Sequence, residues 1–291
     1  MRAVATSAEL AAATQAARES GADVGFVPTM GALHAGHRSL LARARDESGF
    51  VVASVFVNPL QFGPREDLAR YPRDLPGDLA ILEEVGVDLA FTPDEAEMWP
   101  APPTVRLDVG PLGTRLEGEF RPGHMDGVAT VVAKLLHQVG PSRAYFGRKD
   151  AQQLAVVRRM VADLAFPNQI VGCPIVRERD GLAVSSRNAY LSAEERVRAT
   201  SLYRALSSGL QAWRQGVREP ARVEAAALAM LQAVLAIEVQ YVRLVEPDGF
   251  EPPPTAEAGH VLAVAARIGS TRLIDNVVLE EAVAPFTEQP R

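Results

Sequence analysis

The chain of 291 residues is longer than most single domains, so two domains are expected. Its composition, 47% hydrophobic and 23% charged residues, is that of a globular protein with a sizeable core. The net charge of −6 argues against a nucleic-acid partner, because such a partner normally requires a basic surface. The single cysteine, Cys173, excludes a disulfide framework within the chain and indicates a reducing compartment.

The N-terminal segment does not have the pattern of a secretion signal. It begins Met1-Arg2-Ala3 and continues into an alanine-rich amphipathic stretch that contains an acid, where a signal would have a long apolar core. No run of the sequence approaches the ~20 apolar residues that a membrane helix needs. We therefore expect a soluble, cytoplasmic protein without a membrane partner.

Helix and strand patterns alternate from the N-terminus to Cys173. A capping box at Thr6-Ser7-Ala8-Glu9 predicts a first helix that ends near Ser20. The alternation predicts an α/β domain whose doubly wound, Rossmann-like parallel sheet has helices on both faces and all strand C-termini at one edge. The predicted strands are Asp23–Thr29, Phe50–Val57, Leu89–Thr92, Ala144–Phe146 and Gln169–Cys173, and the helices between them start near His34, Gly77, Gly127 and Ala151.

The pattern changes after Cys173. Two helices follow in succession, from Ser192 to about Gln215 and from Pro220 to Leu235, and three strand-like runs come after them. Helices followed by strands indicate a second, smaller α+β C-terminal domain. We place the domains at residues 1–175 and 176–291, with a frayed tail from Ala282. The three predicted strands are Val239–Val245, Val261–Ile268 and Arg272–Leu279.

The turn after the first long strand carries the most informative residues. His34 and His37 are three apart where a helix begins, so the two imidazoles can address one ligand. The N–H groups and partial positive charge of a helix start suit phosphate, and Gly36 would let a nucleobase approach the backbone. The pattern favours a nucleoside triphosphate at this helix, and two ordinary surface histidines are the simpler alternative.

A second set of residues lies at another junction between a strand and a helix. Gly147 permits close backbone approach, Lys149 can neutralise phosphate charge, and Asp150 can accept hydrogen bonds from ribose hydroxyls. Gln153 lies one helical turn after Asp150. Ser185-Ser186-Arg187-Asn188 offers hydroxyl and guanidinium donors that suit phosphate. Taken singly, each of these sets is more readily an ordinary surface pair or an ordinary loop.

Lysine usage sets Lys149 apart. Lys134 and Lys149 are the only lysines among the 30 basic residues of the chain, and the others are arginines. A chain so rich in arginine is expected to keep lysine where a compact ammonium is needed. The neighbours of Lys149 favour that interpretation, whereas for Lys134 a functional lysine and one retained by chance are both open.

Together and in this order, the motifs closely resemble those of the pantoate–β-alanine ligase family. That family belongs to the nucleotidyltransferase group whose aminoacyl-tRNA synthetase relatives carry a His-Ile-Gly-His signature. The resemblance covers nearly the whole chain. The segments that carry it are Pro28–His37, Val57–Gly63, Tyr71–Arg73, Gly147–Asp150 with Gln152-Gln153, and Gly181–Asn188.

The resemblance implies ATP-dependent ligation of (R)-pantoate and β-alanine to pantothenate. The reaction would pass through a pantoyl-adenylate and release AMP and pyrophosphate. The resemblance also implies Mg²⁺ with the ATP, a homodimer, and only small molecules as other partners. No residue is identified as the base for the amine of β-alanine, and His34, His37 and water are all left open.

The resemblance also implies roles for individual residues. Asp78 is a weak candidate for a metal ligand, and Tyr71 is a further active-site position. The implied catalytic residues are His34, His37, Lys149 and Arg187. The implied ATP-binding residues are Met30, His34, His37, Gly147, Lys149, Asp150, Val176, Val184, Ser185, Ser186 and Arg187. The implied pantoate-binding residues are Pro28, Met30, Asn58, Gln61, Arg121, Phe146 and Gln153.

The sequence departs from the family pattern at three positions, of which Val184, in place of a common methionine, is a mild change in an apolar contact. Arg148 stands where members commonly have glutamate, and Gly77 stands where many have an acid. Because side chains alternate in an extended segment, Arg148 is expected to point away from Lys149, although it could instead add charge at the phosphates. Gly77 weakens any metal assignment near Asp78.

Two other functions are weighed against the ligase. One is a nucleotidyltransferase that makes a stable nucleotide product, and the other is a nucleotide-binding regulator that does not turn over. A dehydrogenase is excluded because no G-x-G-x-x-G motif follows a predicted strand.

Overall fold

The structure is a computed structural model that describes residues 1–64 and 66–280. Its described residues divide into two compact units, one formed by Met1–Arg148 with Val156–Cys173 and the other by Lys149–Ala155 with residues 174–280. The sequence places a single boundary after residue 175, and that boundary stays a prediction. The expected fraying from Ala282 lies outside the described residues.

The first unit contains a six-stranded sheet in which every registered strand pair is parallel, in the order β1-β4-β3-β2-β5-β6. This confirms the predicted doubly wound parallel sheet. The edge strand β1 was not predicted, because three residues are too few to show a periodic pattern. The strands are β1 Arg2–Val4, β2 Val24–Thr29, β3 Phe50–Val55, β4 Leu89–Phe91, β5 Arg143–Gly147 and β6 Gln169–Cys173.

The helices of this region follow the predicted alternation. α1 begins at the predicted capping box, with Thr6 accepting from the Glu9 amide, and α7 begins three residues earlier than predicted. The three short helices α4 to α6 were not predicted. The helices are α1 Ser7–Glu19, α2 Ala35–Glu47, α3 Leu75–Glu84, α4 Glu95–Met98, α5 Pro111–Thr114, α6 Glu117–Phe120, α7 His124–Val139 and α8 Ala151–Asp163.

A buried apolar layer fixes α2 on the sheet. Val27 of β2 and Ala53 of β3 join Leu41 of α2, Tyr145 of β5 and Cys173 of β6 in one cluster. Burial of these side chains is the main favourable contribution to folding here. Because the sheet is fixed under α2, the loop that leads into this helix has a defined position at the carboxyl edge of the sheet.

The strand order reverses between β2 and β5. β3 and β4 continue the sheet on one side of β2, and β5 and β6 continue it on the other. β2 and β5 are paired only at Gly25↔Arg143 and Phe26↔Ala144, although both strands continue. Pro28, which lies in β2 beyond the last of these pairs, has no N–H to donate to a neighbouring strand. Such a reversal is where open α/β sheets bind ligands, at the carboxyl ends of the strands.

The second unit confirms the predicted α+β pattern, with two helices and an antiparallel sheet in the order β7-β8-β9. α9 packs closely on β8, because a Cβ on Gly209 would lie 2.4 Å from Leu262 Cδ2. Over residues 1–64 and 66–280, the structure contains no helix with the length and apolar character to cross a membrane. The elements are α9 Ala193–Arg214, α10 Pro220–Gln232, β7 Ile237–Val245, β8 Val261–Ile268 and β9 Thr271–Val278.

Candidate active site

The turn between β2 and α2 is held by buried hydrogen bonds. The Thr29 hydroxyl donates to the Ser54 carbonyl at 2.7 Å and accepts from the Gly31 amide at 3.2 Å. Gly31 has φ +81° and Ala32 has φ +51°, so two successive residues lie in the left-handed region. Only glycine adopts that region without cost, so the turn needs outside support at Ala32.

Asp78, in the first turn of α3, supplies that support. Its carboxylate accepts from the amides of Ala32 at 3.0 Å and Leu33 at 2.7 Å, and the residue is 3% exposed. Burial raises the pKa of Asp78, and the two amide bonds act in the opposite direction. Both carboxylate oxygens therefore hold the backbone that leads to His34. In the described parts of the chain, no three His, Cys, Asp or Glu side chains group as metal ligands, and the metal role of Asp78 remains untested.

Asp78→Asn is expected to lower the free energy of unfolding by about 1–3 kcal/mol even without metal or nucleotide, because an amide NH₂ would face a backbone N–H. Thermal or urea unfolding in a chelator measures this. Asp74→Asn is the matched control, since Asp74 caps α3 through its bond from Gly77 and asparagine caps equally well. An Asp78→Asn variant of normal stability that only needs more Mg²⁺ would assign the carboxylate to the metal instead.

His34 and His37 are arranged as a pair of fixed rings. Their centroids are 4.1 Å apart with a tilt of 32°. His34 is the N-cap of α2, and its Nδ1 accepts from the Gly36 amide at 3.1 Å, while His37 Nδ1 accepts from the His34 amide at 3.3 Å. A ring nitrogen that accepts carries no proton, so the hydrogen-bond pattern assigns the proton of each neutral ring to Nε2. Two N–H donors result.

The first turn of α2 suits an anion for a second reason. It contains no acidic side chain that would offset the partial positive charge of the helix start. Gly36 has a role that the sequence did not predict, because a Cβ there would lie 2.9 Å from His34 Cε1. The missing side chain thus makes room for the imidazole of His34.

Three residues of the predicted pantoate set lie together, Asn58 and Gln61 after β3 and Met30 after β2. Asn58 is 1% exposed and donates to the Gly127 carbonyl at 3.1 Å and to Gln61 Oε1 at 3.2 Å. The Gln61 amide donates to the Met30 sulfur. A thioether is a weak acceptor, so a ligand hydroxyl would accept this hydrogen bond more strongly. The Gln61 side chain is therefore held in one orientation, and its N–H can bond a substrate hydroxyl in place of the Met30 sulfur.

The main chain of Gln61 is held by a buried histidine, His124, that no motif of the sequence indicates. His124 Nδ1 lies 2.8 Å from the Gln61 carbonyl, and its Nε2 lies 2.8 Å from the Arg121 guanidinium. Because a guanidinium only donates, Nε2 accepts and Nδ1–H donates to Gln61. Arg121 was predicted as a substrate contact. The structure pairs it with Glu66, at 2.5 and 3.0 Å.

Acid is expected to destabilise the protein through His124. Burial, and then the charge of Arg121, lower its pKa from 6.5 to about 4. The unfolded chain therefore binds this proton first, and stability is lost as the pH falls from about 6.5 to about 4. The loss from this group is about 3 kcal/mol in total.

Urea unfolding of wild type and His124→Asn across this pH range measures the contribution of His124. The asparagine can keep the bond to the Gln61 carbonyl but does not titrate, so its stability is expected to fall less steeply. Equal slopes for the two proteins would contradict the assignment.

Three other predicted residues belong to the first unit. Phe146 and Gly147 lie at the end of β5, and Tyr71 makes a buried ring contact. Phe146 is buried near the end of β5, and no atom lies within 4 Å of the position that a Cβ on Gly147 would take. Gly147 therefore faces open space, as a close ligand approach requires. Tyr71 is buried, with its ring edge against Phe62 at 5.9 Å between centroids.

The segment after β5 corrects one expectation. Arg148–Asp150 forms a turn of 3₁₀ helix that leads into α8, so the extended backbone assumed for Arg148 was wrong. Lys149, Asp150 and Gln153 are all half-buried. Their predicted roles toward ATP and pantoate stay predictions.

In the second unit, the two valines predicted to flank adenine are cross-strand neighbours. The Val184 amide donates to the Val176 carbonyl at 3.0 Å, next to the antiparallel bridge Arg177↔Ala183. The hairpin leads directly into Ser185, which caps a short 3₁₀ helix over Ser186–Tyr190 by accepting from the Arg187 amide at 3.3 Å. The Ser-Ser-Arg loop therefore has a hydrogen-bonded shape.

Lys134, the second lysine of the chain, makes two contacts within the first unit. Lys134 donates to the Met98 carbonyl, and its ammonium lies 4.7 Å from the Trp99 ring centroid, a cation–π distance. These contacts give Lys134 a structural role in the first unit.

Comparison with known proteins relates this chain to one family. A family model described as pantoate-beta-alanine ligase matches residues 2–278. A pantothenate synthetase of Agrobacterium fabrum strain C58 is 51% identical over 280 residues, which is 96% of each chain. The crystal structure of pantothenate synthetase from Thermus thermophilus is 53% identical, covers 96% of this chain and 99% of its own, and superposes with a TM-score of 0.90.

A further solved relative carries ligands. It is the pantoate-beta-alanine ligase of Francisella tularensis, crystallised with beta-gamma ATP and β-alanine, at 30% identity and a TM-score of 0.81 over 98% of this chain and 100% of its own. The motif order, the parallel sheet and these matches agree, and the chain belongs to the pantoate–β-alanine ligase family.

Proposed function

We propose that this chain joins (R)-pantoate to β-alanine at the expense of ATP, through a pantoyl-adenylate, and releases AMP and pyrophosphate. The observation that carries the proposal is the His34–His37 pair, which presents two Nε2–H donors at the start of α2. This pair lies in a chain that the family model matches from residue 2 to residue 278. The ligands of the Francisella tularensis relative support ATP and β-alanine as substrates.

In the first half-reaction, a carboxylate oxygen of pantoate attacks the α-phosphorus in line. A new P–O bond forms, the bond to the bridging oxygen breaks, and pyrophosphate leaves with the electron pair. Both reactants are anions, so the enzyme must act mainly through positioning and positive charge. The two imidazole N–H groups and the helix start would meet phosphate oxygens, with Lys149 and Arg187 as further cationic groups.

Pantoate selection is assigned to the Gln61 amide and its neighbours. A carboxamide can both donate to and accept from a hydroxyl, and the Asn58 side chain fixes its orientation. His124 and Arg121 fix its carbonyl from the backbone side. The apolar wall would come from Pro28, Met30 and Phe146, and Gln153 would be a second carboxamide.

In the second half-reaction, the neutral amine of β-alanine attacks the acyl carbon, and AMP leaves with the electron pair of the broken C–O bond. The amine must lose a proton. Both histidines use their Nδ1 lone pair to accept a backbone N–H and carry hydrogen on Nε2. In this arrangement neither ring is placed to take the proton. Water or the phosphate group of the departing AMP is therefore favoured as the proton acceptor.

An assay of AMP release, with each substrate omitted in turn, tests the function. AMP should appear only when ATP, pantoate and β-alanine are all present, and pantothenate should form in equal amount. A stable nucleotide product made without the amine would favour another nucleotidyltransferase. Tight ATP binding without any turnover would favour a nucleotide-binding regulator.

Three further properties are proposed on the family resemblance. ATP is proposed to bind as its Mg²⁺ complex, because Mg²⁺ is held mainly by phosphate oxygens and would reduce their charge. The chain is proposed to form a homodimer, which light scattering during size exclusion would test. A cytoplasmic location is proposed from the single cysteine together with the resemblance.

A further inference from the structure

Two adjacent polar residues, Asp275 and Asn276, lie inside the strand β9, and each is 3% exposed. Successive side chains of a strand point to opposite faces, so the two residues reach different neighbours. Buried polar groups are costly unless they are hydrogen-bonded, so the partners of these side chains are informative.

Asp275 fixes the hairpin that precedes the Ser-Ser-Arg loop. Its two oxygens accept from Arg177 at 2.6 and 3.0 Å, in a bidentate pair. The same guanidinium donates to the carbonyls of Gly181 and Asn276, each at 3.0 Å, and lies 4.8 Å from the Tyr203 ring centroid. Arg177 thus ties both the start and the turn of the hairpin to β9.

Asn276 fixes a different segment of the same unit. Its side-chain amide donates to the main-chain carbonyl of Lys149 at 2.9 Å. The two residues are separated by 127 positions in the chain. One dipeptide of β9 therefore holds the backbone of Lys149 on one side and the hairpin that leads into Ser185 on the other.

We propose that Asp275 and Asn276 are positioning residues for ATP, which set the backbone of Lys149 and of the Ser185–Arg187 loop for the phosphates. The inference rests on the proposed function, in which both segments bind ATP. A buried ion pair by itself is weak support for stability. A small displacement of a catalytic group, however, can lower a rate strongly. Residues that hold both phosphate-binding segments in place are therefore expected to affect how ATP binds.

The first test compares Asn276→Ala with Asn168→Ala. Asn168 is also buried, at 8% exposure, and donates to a main-chain carbonyl, that of Gly140, at 2.7 Å. Both variants are expected to lose stability in thermal unfolding, and Asn168→Ala also loses a second hydrogen bond, to Ser142 Oγ at 2.8 Å. Only Asn276→Ala should raise the KM for ATP, by about tenfold, because one buried hydrogen bond at the ATP segment is lost. Its KM values for pantoate and β-alanine should stay at the wild-type level.

The second test uses Asn276→Asp, which keeps the shape and replaces the N–H donor with an acceptor. When ionised, the introduced carboxylate faces the Lys149 carbonyl, and the KM for ATP should rise further than in the alanine variant. When protonated, its O–H can donate to that carbonyl. The KM of this variant should therefore fall toward the wild-type value as the pH is lowered, relative to the wild-type profile. A purely structural role would not produce this recovery.

The inference is overturned if Asn276→Ala has a wild-type KM for ATP, if Asn168→Ala shows the same rise, or if the aspartate variant shows no recovery in acid. Should Asn276→Ala not fold, the acid recovery of the aspartate variant decides alone. A wild-type protein that releases no AMP from the three substrates would contradict the proposed function instead. In that case, the Kd for ATP from calorimetry replaces KM in the same comparison.

Discussion

Lys149→Ala is expected to lower the rate of adenylate formation by at least about 100-fold and to leave the melting temperature unchanged. The loss of one preorganised group that stabilises developing charge commonly costs two to three orders of magnitude in rate. The variant should lose little stability, because the hydrogen bond that Asn276 makes to residue 149 uses the main chain. A pyrophosphate burst in rapid-quench experiments measures the rate, and thermal unfolding measures the stability.

The only other lysine of the chain provides the matched control. Lys134→Ala removes the same ammonium, but from a site where it bonds the Met98 carbonyl and lies on the Trp99 ring. It should lower the melting temperature and leave kcat near the wild-type value. A normal burst in Lys149→Ala, or an equal loss of rate in both variants, would remove Lys149 from the phosphate chemistry.

Much of the fold could be predicted because its signals are local. The capping box at Thr6 and the helix start predicted at Ser192 place the starts of α1 and α9 within a residue. The apolar run at 50–57, which is rich in β-branched residues, predicts a strand buried on both faces, and Val51, Val52 and Ala53 are fully buried. Strand and helix patterns that alternate then lead to a parallel sheet.

The start of α7 shows why local signals can fail. Gly123 is its N-cap with φ +79°, a conformation that sequence rules associate with the end of a helix. Tertiary contacts override that signal, because Asn58 bonds the Gly127 carbonyl and a Cβ on Gly127 would lie 2.2 Å from the Leu60 carbonyl oxygen. The missed turn contains His124, so the missed boundary also hid the residue that holds Gln61.

The residues of the candidate site also fall into two groups, those that the sequence predicts and those that only the fold reveals. Motif order predicts the residues that would meet the ligands, since their chemistry and spacing are visible in the sequence. The residues that hold them act across 45 or 46 positions for Asp78, 63 for His124 and 127 for Asn276. Neither periodicity nor motif spacing reaches so far. Only the folded chain shows which backbone groups these side chains hold.

His34 has two roles in the structure, one for each ring nitrogen, and two substitutions can separate them. Nδ1 caps α2 by accepting from the Gly36 amide, and Nε2–H is the proposed donor to phosphate. Asparagine is a good N-cap and has no group at the position of Nε2. Glutamine is long enough to place an amide N–H near the position of Nε2, but it is a poor cap.

His34→Asn is therefore expected to keep the melting temperature and to lower the pyrophosphate burst by at least about 100-fold. His34→Gln should lose about 1 kcal/mol of stability with the cap and retain more of the burst. His34→Ala should lose both. If the burst instead followed stability across the three variants, the imidazole would serve only as a cap. A near-normal burst in His34→Asn would take Nε2 out of the mechanism, because that variant keeps the cap and has no group at the position of Nε2.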